Sequence, residues 1–426
     1  MIQIVRVPEI ISSKEGGVRN SCVRSRFLGL APFLRMSLDG QDLVARADEL
    51  LRAVDVPDAA AEDLLNLSLA LFCIGMREKG LEVQSQALAL TRDYHISCGD
   101  GPALITVLVL VTPGDLSANM PIECLLEDCG VRIHLRYVDS RADNPIGESI
   151  PDHDILICGM SESPANKETL RFLSTLLDTW PRPIINHPSK IRNVERHLAS
   201  KLFKGVPGLI SAEVTMVTRQ DLQRAISAKS ISSLELGASF PILLRPQGSH
   251  AGLQLEKVND ADELASYAAR VSSDNYYACP FIDYRDSDGM YRKMRIAFID
   301  GKSYPCHMAT SDHWMVHYVN ASMYENADRR QMERQFMELY PQFESLHKEA
   351  LSAIGQLSGL DYFAVDCAIC PDGSLLIFEI DHAMVMHNMD PQDLFPYKKK
   401  QMVKIRDAAI EMLLSRVRHF KLCVNK

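Results

Sequence analysis

Three acidic residues stand in strands that are otherwise apolar. The segment DYFAVDCAICPDGSLLIFEID, residues 361–381, is two apolar runs joined by Asp372-Gly373. An Asp-Gly pair between such runs signals a hairpin closed by a two-residue loop. With those two residues as the loop, Pro371 faces Ser374 and Asp366 faces Glu379. Period-two alternation then puts Asp381 on the same face, diagonal to Asp366. Directly opposed like charges are destabilising unless something neutralises them. A hard cation bound through oxygen would do so, and Mg²⁺ shared between carboxylates and phosphates suits this donor set. The alternative is a solvated sheet face, where carboxylates cost little. Register decides, because a loop one residue longer turns Asp366 away from Glu379.

Basic residues with glycines nearby supply the complementary charge. In ILLRPQGSHAGL, residues 242–253, an apolar strand delivers Arg245 to a loop containing Gly248, Ser249, His250 and Gly252. Glycines let consecutive backbone N–H groups approach an anion closely, and Arg245 places a fixed charge beside them. A Gly-containing hairpin loop without a ligand is the plainer reading. A P-loop is excluded, since no G-x-x-x-x-G-K-[ST] occurs in the chain. A second hairpin, YRKMRIAFIDGKSYPCHM, turns at Asp300-Gly301. Alternation sets Lys293 and Arg295 on one face, opposite Cys306 and Met308, with His307 on the other face. Paired basic residues in a strand suit a polyphosphate or a transferring phosphoryl group; a solvated basic face is the alternative.

The elements that position these residues follow from periodicity. Residues 1–40 show no periodicity and read as an irregular arm. Residues 41–95 read as helical, with stripes at Leu43, Ala47, Leu50 and Leu51, then Leu64, Leu65, Leu67, Leu71 and Ile74, then Leu81, Ala87 and Leu88. Leu67, Gly80 and Ala87 loosely match one tetratricopeptide unit. A single unit cannot bury its own face, so a helical cap packed on the next domain competes with a peptide-binding module. Residues 101–186 alternate short apolar strands with helices, which predicts a parallel sheet with right-handed crossovers. No G-x-G-x-x-G follows its first strand, so the dinucleotide fingerprint is missing. From 187 onward the pattern is α+β: a helix over 194–203, the two hairpins, a helical stretch over 327–357 and a basic amphipathic helix over 398–417.

Bulk composition restricts the function classes. The 426 residues carry 46 Lys and Arg against 55 Asp and Glu, a net charge of -9. A chain of this balance lacks the basic face of a dedicated nucleic-acid binder. The longest apolar run, 103–111, is too short to cross a membrane, and the N-terminus has no apolar signal region. Eleven scattered cysteines read as reduced thiols in a cytoplasmic protein. The pair Cys367 and Cys370 reads as small strand residues, a lone C-x-x-C being weak support for zinc.

These pieces, in this order, resemble the ATP-grasp superfamily of carboxylate–amine ligases, which includes the ribosomal-protein glutamate ligase, glutathione synthetase and D-alanine–D-alanine ligase. The resemblance covers roughly residues 101–420. It implies an α+β chain with two α+β lobes at 187–426, preceded by an α/β pre-ATP-grasp domain at 101–186 and a helical, tetratricopeptide-like segment within 1–100. FEID stands where the family has a Glu-x-Asn ending, so Glu379 and Asp366 become metal ligands, with Asp381 in place of the usual Asn. INHPSKIRNVERHLASKLFKGVPG resembles the entry to the nucleotide domain and makes Arg196 the phosphate-contacting residue, with Arg192 as the alternative. Arg245 replaces the usual Lys. KMRIAFIDGK resembles the strand whose Arg, here Arg295, contacts the γ-phosphate or acyl phosphate.

YYACPFIDY resembles the segment that binds adenine through backbone groups. Cys279-Pro280 departs from the family's frequent Glu and removes one N–H donor, which leaves Phe281 and Ile282 as adenine contacts. The C-terminal half also resembles ATP-grasp proteins that follow a tetratricopeptide-like segment, which implies that HMATSDHWMVHYVNASM lies near the active site, with substrate-side roles for His307, Trp314, His317 and Asn320, beside Lys293; Trp314 as plain core competes. The resemblance thus implies ATP and Mg²⁺ as cofactors and small-molecule or peptide carboxylate and amine substrates. It implies no nucleic-acid or membrane partner and is compatible with a homo-oligomer. The expected reaction forms an amide through an acyl phosphate. A small-molecule kinase on the same fold and a non-catalytic nucleotide-binding or peptide-docking regulator are the rival readings.

Overall fold

A computed structural model describes residues 25–97, 101–138, 145–147, 149–249, 252–318 and 320–424. Most of the expected arm, and His250 of the glycine-containing loop, lie outside these residues. The described part of the arm contains a helix, Ala31–Leu38, with Phe33 and Leu34 buried. Three more helices follow at Leu43–Val54, Ala61–Cys73 and Arg77–Leu90. They match the three stripes except at Leu51, which is exposed. This helical segment shares a core with the sheet beside it: Leu64, Leu65, Ala87 and Leu88 pack with Val107, Val109 and Ile133.

The first sheet has five strands: β1 (Asp93–Ile96), β2 (Ile105–Val111), β3 (Val131–Tyr137), β4 (Ile155–Cys158) and β5 (Ile184–Ile185), in the order β1-β3-β2-β4-β5. β2 to β5 are parallel, as expected from the strand–helix alternation. β1 is an antiparallel edge strand in a stretch read as helical. Four residues, with Tyr94 buried and Ile96 half-buried on the inner face, give too short a period-two signal to read against the preceding helix.

A short strand, β6 (Leu209–Ser211), leads to a four-stranded antiparallel sheet of β7 (Thr215–Thr218), β8 (Ile242–Pro246), β9 (Glu256–Val258) and β10 (Asn275–Pro280), ordered β7-β10-β8-β9. A capping box at Thr218 and Asp221 starts the helix Arg219–Ala228 on its face. The third sheet joins β12 (Lys302–Ser311), β11 (Tyr291–Ile299), β13 (Tyr362–Ile369), β14 (Leu375–Asp381) and β6. The expected 327–357 stretch is three helices, Ala327–Glu338, Tyr340–Leu346 and Lys348–Ser358. The last helix, Lys398–Val424, runs past its expected end. The chain is thus α+β, as its resemblance implied.

Asn186 joins the first sheet to the third. It is fully buried, just beyond β5. Its Nδ2 donates to the Tyr362 carbonyl at 2.6 Å, and its Oδ1 accepts from Asp361 N and Tyr362 N at 2.9 and 3.0 Å. One side chain therefore sets the start of β13, the strand that carries Asp366. Among the described residues, no helix is long and apolar enough to cross a membrane.

Candidate active site

The carboxylate hairpin has the expected pairing for a different reason. Its turn is not the two-residue loop: Ile369 pairs with Leu375, and Cys370 N donates to the Ser374 carbonyl at 2.9 Å. Pro371 and Ser374 are therefore not partners. That shift alone would turn Asp366 from Glu379. A β-bulge at Phe378, between the pairs Cys367–Ile377 and Asp366–Glu379, inserts one residue and restores the register. Asp381 pairs with Ala364 and so shares the face of Glu379 and Asp366.

The second hairpin turns at Asp300-Gly301 as expected, with φ of 50° and 76°, and Ile299 pairs with Lys302. A bulge again changes the outcome further along. Ile296 pairs with Pro305 but Arg295 pairs with His307, so Cys306 is the extra residue. His307 consequently sits beside Arg295 and not on the opposite face, and Cys306 does not oppose Arg295.

β11 lies against β13 with Arg295 opposite Asp366. Arg295 Nε and Nη2 donate to Asp366 Oδ1 and Oδ2 at 2.8 and 3.1 Å, and Lys293 Nζ donates to Oδ2 at 3.0 Å. Asp366 is only 3% exposed. Burial alone would raise its pKa, but Arg295 and Lys293 hold it well below the usual carboxylate range. Glu379 accepts a hydrogen bond from Arg196 Nη2, at the N-terminus of the helix Arg196–Leu202. Burial pushes Glu379 up, and the Arg196 and Arg245 charges outweigh it, leaving the group lowered. Both acids are ionised at neutral pH.

Arg245 reaches the same place from the four-stranded sheet. Its Nε donates to Ser249 Oγ at 2.9 Å and its Nη2 to the Ser249 carbonyl. Desolvation, and then Arg196, lower the Arg245 pKa to about 10. Two guanidinium groups thus share a largely buried region, an arrangement that favours an anion between them. Gly248 and Gly252 both have positive φ, 76° and 73°. A Cβ on Gly252 would stand 2.4 Å from His317 Nε2. The glycine loop and the His317 segment therefore touch one another.

His317 Nε2 and His307 Nδ1 are buried with no hydrogen-bond partner among the described residues. Burial lowers the His317 pKa to about 4, with Lys293 adding, so the ring is neutral at pH 7. The other expected substrate-side residues separate. Trp314 packs edge-on against Phe281 at 5.8 Å between ring centroids, and Lys257 Nζ lies 3.8 Å from the centre of the Phe281 ring. Ile282 is half-buried next to them. Trp314 thus belongs with the expected adenine contacts. Asn320 is exposed and braces its own loop, accepting from His317 N at 2.8 Å and donating to the Met315 carbonyl at 3.1 Å.

The expected trio of metal ligands lies on one face, but no group of three metal-ligating side chains stands together among the described residues. Asp366 is held by two protein cations, and Asp381 Oδ1 accepts from Ala383 N at 2.9 Å. The donors are hard oxygens, the kind Mg²⁺ prefers. Glu379, whose side chain is 30% exposed, is the most open of them. The described cysteines are free thiols, Cys367 in β13 and Cys370 at its turn.

Residue reading missed Glu162. It lies in the polar loop after β4, beside Arg196, Glu195 and Asp381 in the electrostatic field of the site. A signal existed: ligands of open α/β sheets bind beyond the carboxyl ends of parallel strands, where residues 159–166 stand.

No protein-family model and no curated protein matches the chain. Solved structures of ATP-grasp proteins are similar to it. A RimK domain protein of the ATP-grasp type from Sphaerobacter thermophilus is 15% identical, with 72% of this chain and 99% of that one covered and a TM-score of 0.44. A D-alanine–D-alanine ligase from Bacillus anthracis complexed with ATP is 15% identical over 74% and 99%, at 0.45. The ATP-grasp ligase PsnB, complexed with minimal precursor, Mg and ADP, is 13% identical over 72% and 97%, at 0.41.

Proposed function

We propose that the chain is an ATP-dependent carboxylate–amine ligase. The observation that carries this reading is the convergence of four cations on two ionised acids. Lys293 and Arg295 hold Asp366, while Arg196 holds Glu379 with Arg245 beside it. They come from two different sheets and from the start of a helix, and Arg245 is hydrogen-bonded to Ser249 of the glycine loop. Phosphoryl transfer asks mainly for positioning and charge stabilisation, which such a constellation supplies.

Arg196 and Arg245 would hold the phosphates of ATP. Arg295 would stabilise the transferring γ-phosphoryl group, where charge develops. A substrate carboxylate oxygen attacks the γ-phosphorus, the bond to the β-phosphate oxygen breaks, and ADP leaves with the electron pair. An amine nitrogen then attacks the acyl carbon, and the C–O bond to phosphate breaks. Phosphate leaves and the nitrogen gives up a proton. Glu379 with Asp366 would hold Mg²⁺, which offsets phosphate charge when bound. The unpartnered His307 and His317 nitrogens would face the acid, and Phe281, Ile282 and Trp314 the adenine.

The test is phosphate release with Mg-ATP and paired carboxylic acids and amines drawn from amino acids and dipeptides, followed by mass analysis. A ligase makes an amide and free phosphate only when both partners are present. A stable phosphoester would establish a kinase instead, and no turnover with any pair would leave a nucleotide-binding protein.

A further inference from the structure

A cleft of about 540 Å³ shares no lining residue with the candidate active site. It lies between the start of β12, the helix Tyr340–Leu346 and the first two turns of the last helix, Lys398–Val424. Pro305, Met337, Tyr340 and Gln401 are its buried side, with the half-buried rings of Tyr304 and Tyr397 beside them. Lys302, Lys400 and Lys404 are exposed at its rim. A cavity of this size, with apolar and aromatic walls and a few polar groups, suits a small molecule.

The rim carries positive charge that the protein does not neutralise. None of the three lysines has an ion-pair partner among the described residues. Of the two acids there, Glu338 is paired with Arg334 at 2.8 Å, and Glu344 accepts from Ser303 Oγ at 3.2 Å. Lys400 and Lys404 stand one turn apart on a single helix face, where like charges repel. They also occupy the first two turns of a 27-residue helix whose first turn holds no acid, and cations are disfavoured at that positive end. An anion in the cleft answers both conflicts. Tyr340 supplies an observation of a different kind. It is 5% exposed, and its hydroxyl meets no hydrogen-bond partner among the described residues. A buried hydroxyl without a partner is costly, and a ligand oxygen at the inner end of the cleft would provide one.

We propose that this cleft is a second ligand site, for a small molecule that joins a phosphate monoester to an aromatic ring. The ring lies among the side chains of Tyr304, Tyr340 and Tyr397, where aromatic faces and edges meet it. The phosphate meets Lys400, Lys404 and the start of the helix, whose first backbone N–H groups and lysine charges both favour it. Ring and anion are each required. The site does not depend on the ligase reading above.

The experiment titrates the full chain with 1-naphthyl phosphate and reads the probe's fluorescence. Saturable binding is expected, with 1-naphthol and inorganic phosphate each binding at least about tenfold more weakly, on the scale of a lost charged contact. The double variant Lys400→Gln, Lys404→Gln should weaken the naphthyl ester about tenfold. Both lysines are exposed and their removal relieves repulsion, so this variant keeps its fold. Tyr340→Phe, which deletes only the hydroxyl, should weaken the probe by a smaller factor. Arg245→Ala, which removes a cation of the candidate active site, should leave the affinity as it is. No saturable binding to the wild type overturns the site. Equal affinity in the wild type and the lysine variant also overturns it. Inorganic phosphate bound as tightly as the naphthyl ester overturns it too, because the lysines then attract any anion and the ring has no place. A loss in Arg245→Ala as large as that in the lysine variant rejects the cleft as well, since the probe then sits in the active site.

Discussion

Arg295 grips Asp366 across neighbouring strands with two hydrogen bonds, 2.8 and 3.1 Å long, deep enough that the acid has almost no contact with water. Removing one member of a buried pair leaves the other uncompensated, at a cost of about 3 kcal/mol. Asp366→Asn should therefore destabilise the fold, because it leaves Arg295 and Lys293 without their counter-ion. Chemical denaturation should show the loss. Unaltered stability would mean that these charges are solvated.

On the ligase proposal, Arg295→Ala should lower turnover more than it raises the ATP requirement, because the charge it would meet develops during transfer. Steady-state kinetics separate the two effects. An unchanged kcat with a raised KM for ATP would place Arg295 among the ground-state phosphate contacts.

Arg245→Ala should weaken ATP binding by about 1.5–3 kcal/mol, the scale of a hydrogen bond to a charged group. Equilibrium titration with a fluorescent nucleotide would measure it. Ser249→Ala, which frees Arg245 Nε from its 2.9 Å partner, should have the smaller effect. The reverse order would make Ser249 the stronger phosphate contact.

Glu162 gives a pH prediction. Its pKa is raised in the fold, from 4.5 to about 7, so between these values the native state holds a proton that the unfolded chain has lost. Stability contributed by Glu162 is full below about pH 4.5 and declines as pH rises toward 7. Glu162→Gln should remove that decline, seen as a Tm that falls less between pH 4.5 and 7 than in the wild type. Parallel profiles would show that solvent reaches Glu162 freely.

Gly252 is left-handed and sits against His317 Nε2. Gly252→Ala adds a strained backbone conformation, about 1–2 kcal/mol, and a collision with the imidazole. Faster hydrogen exchange over 312–318 should follow. Protection equal to the wild type would show that the two segments yield independently.

Much of this was readable from residue order. Apolar runs and turn pairs located both hairpins, and the Asp300-Gly301 turn formed as its residues demand. Bulges were not readable. At Cys306 and Phe378 one extra residue enters a strand whose neighbours are all compatible with regular pairing. The hydrophobic pattern across each bulge carries no mark of it, because both faces there are buried. The result was an incorrect face for His307, and a correct partner for Asp366 reached through an incorrect turn. Glu162 was missed because it joins the site only through tertiary packing: its loop is more than two hundred residues from His382, which holds it in place.

The Asn186 clamp has a mechanical consequence. Replacing it by Ala would strand backbone groups of Asp361 and Tyr362 in a dry seam, each worth about 1–3 kcal/mol. With the clamp intact, the first and third sheets form one rigid jaw, carrying Glu162, Asp366 and Glu379 together. The four-stranded sheet enters and leaves that jaw through two connections, 212–214 and 281–290. Arg245 and its glycine loop therefore reach the other site residues from a part of the chain that is tethered at only two points.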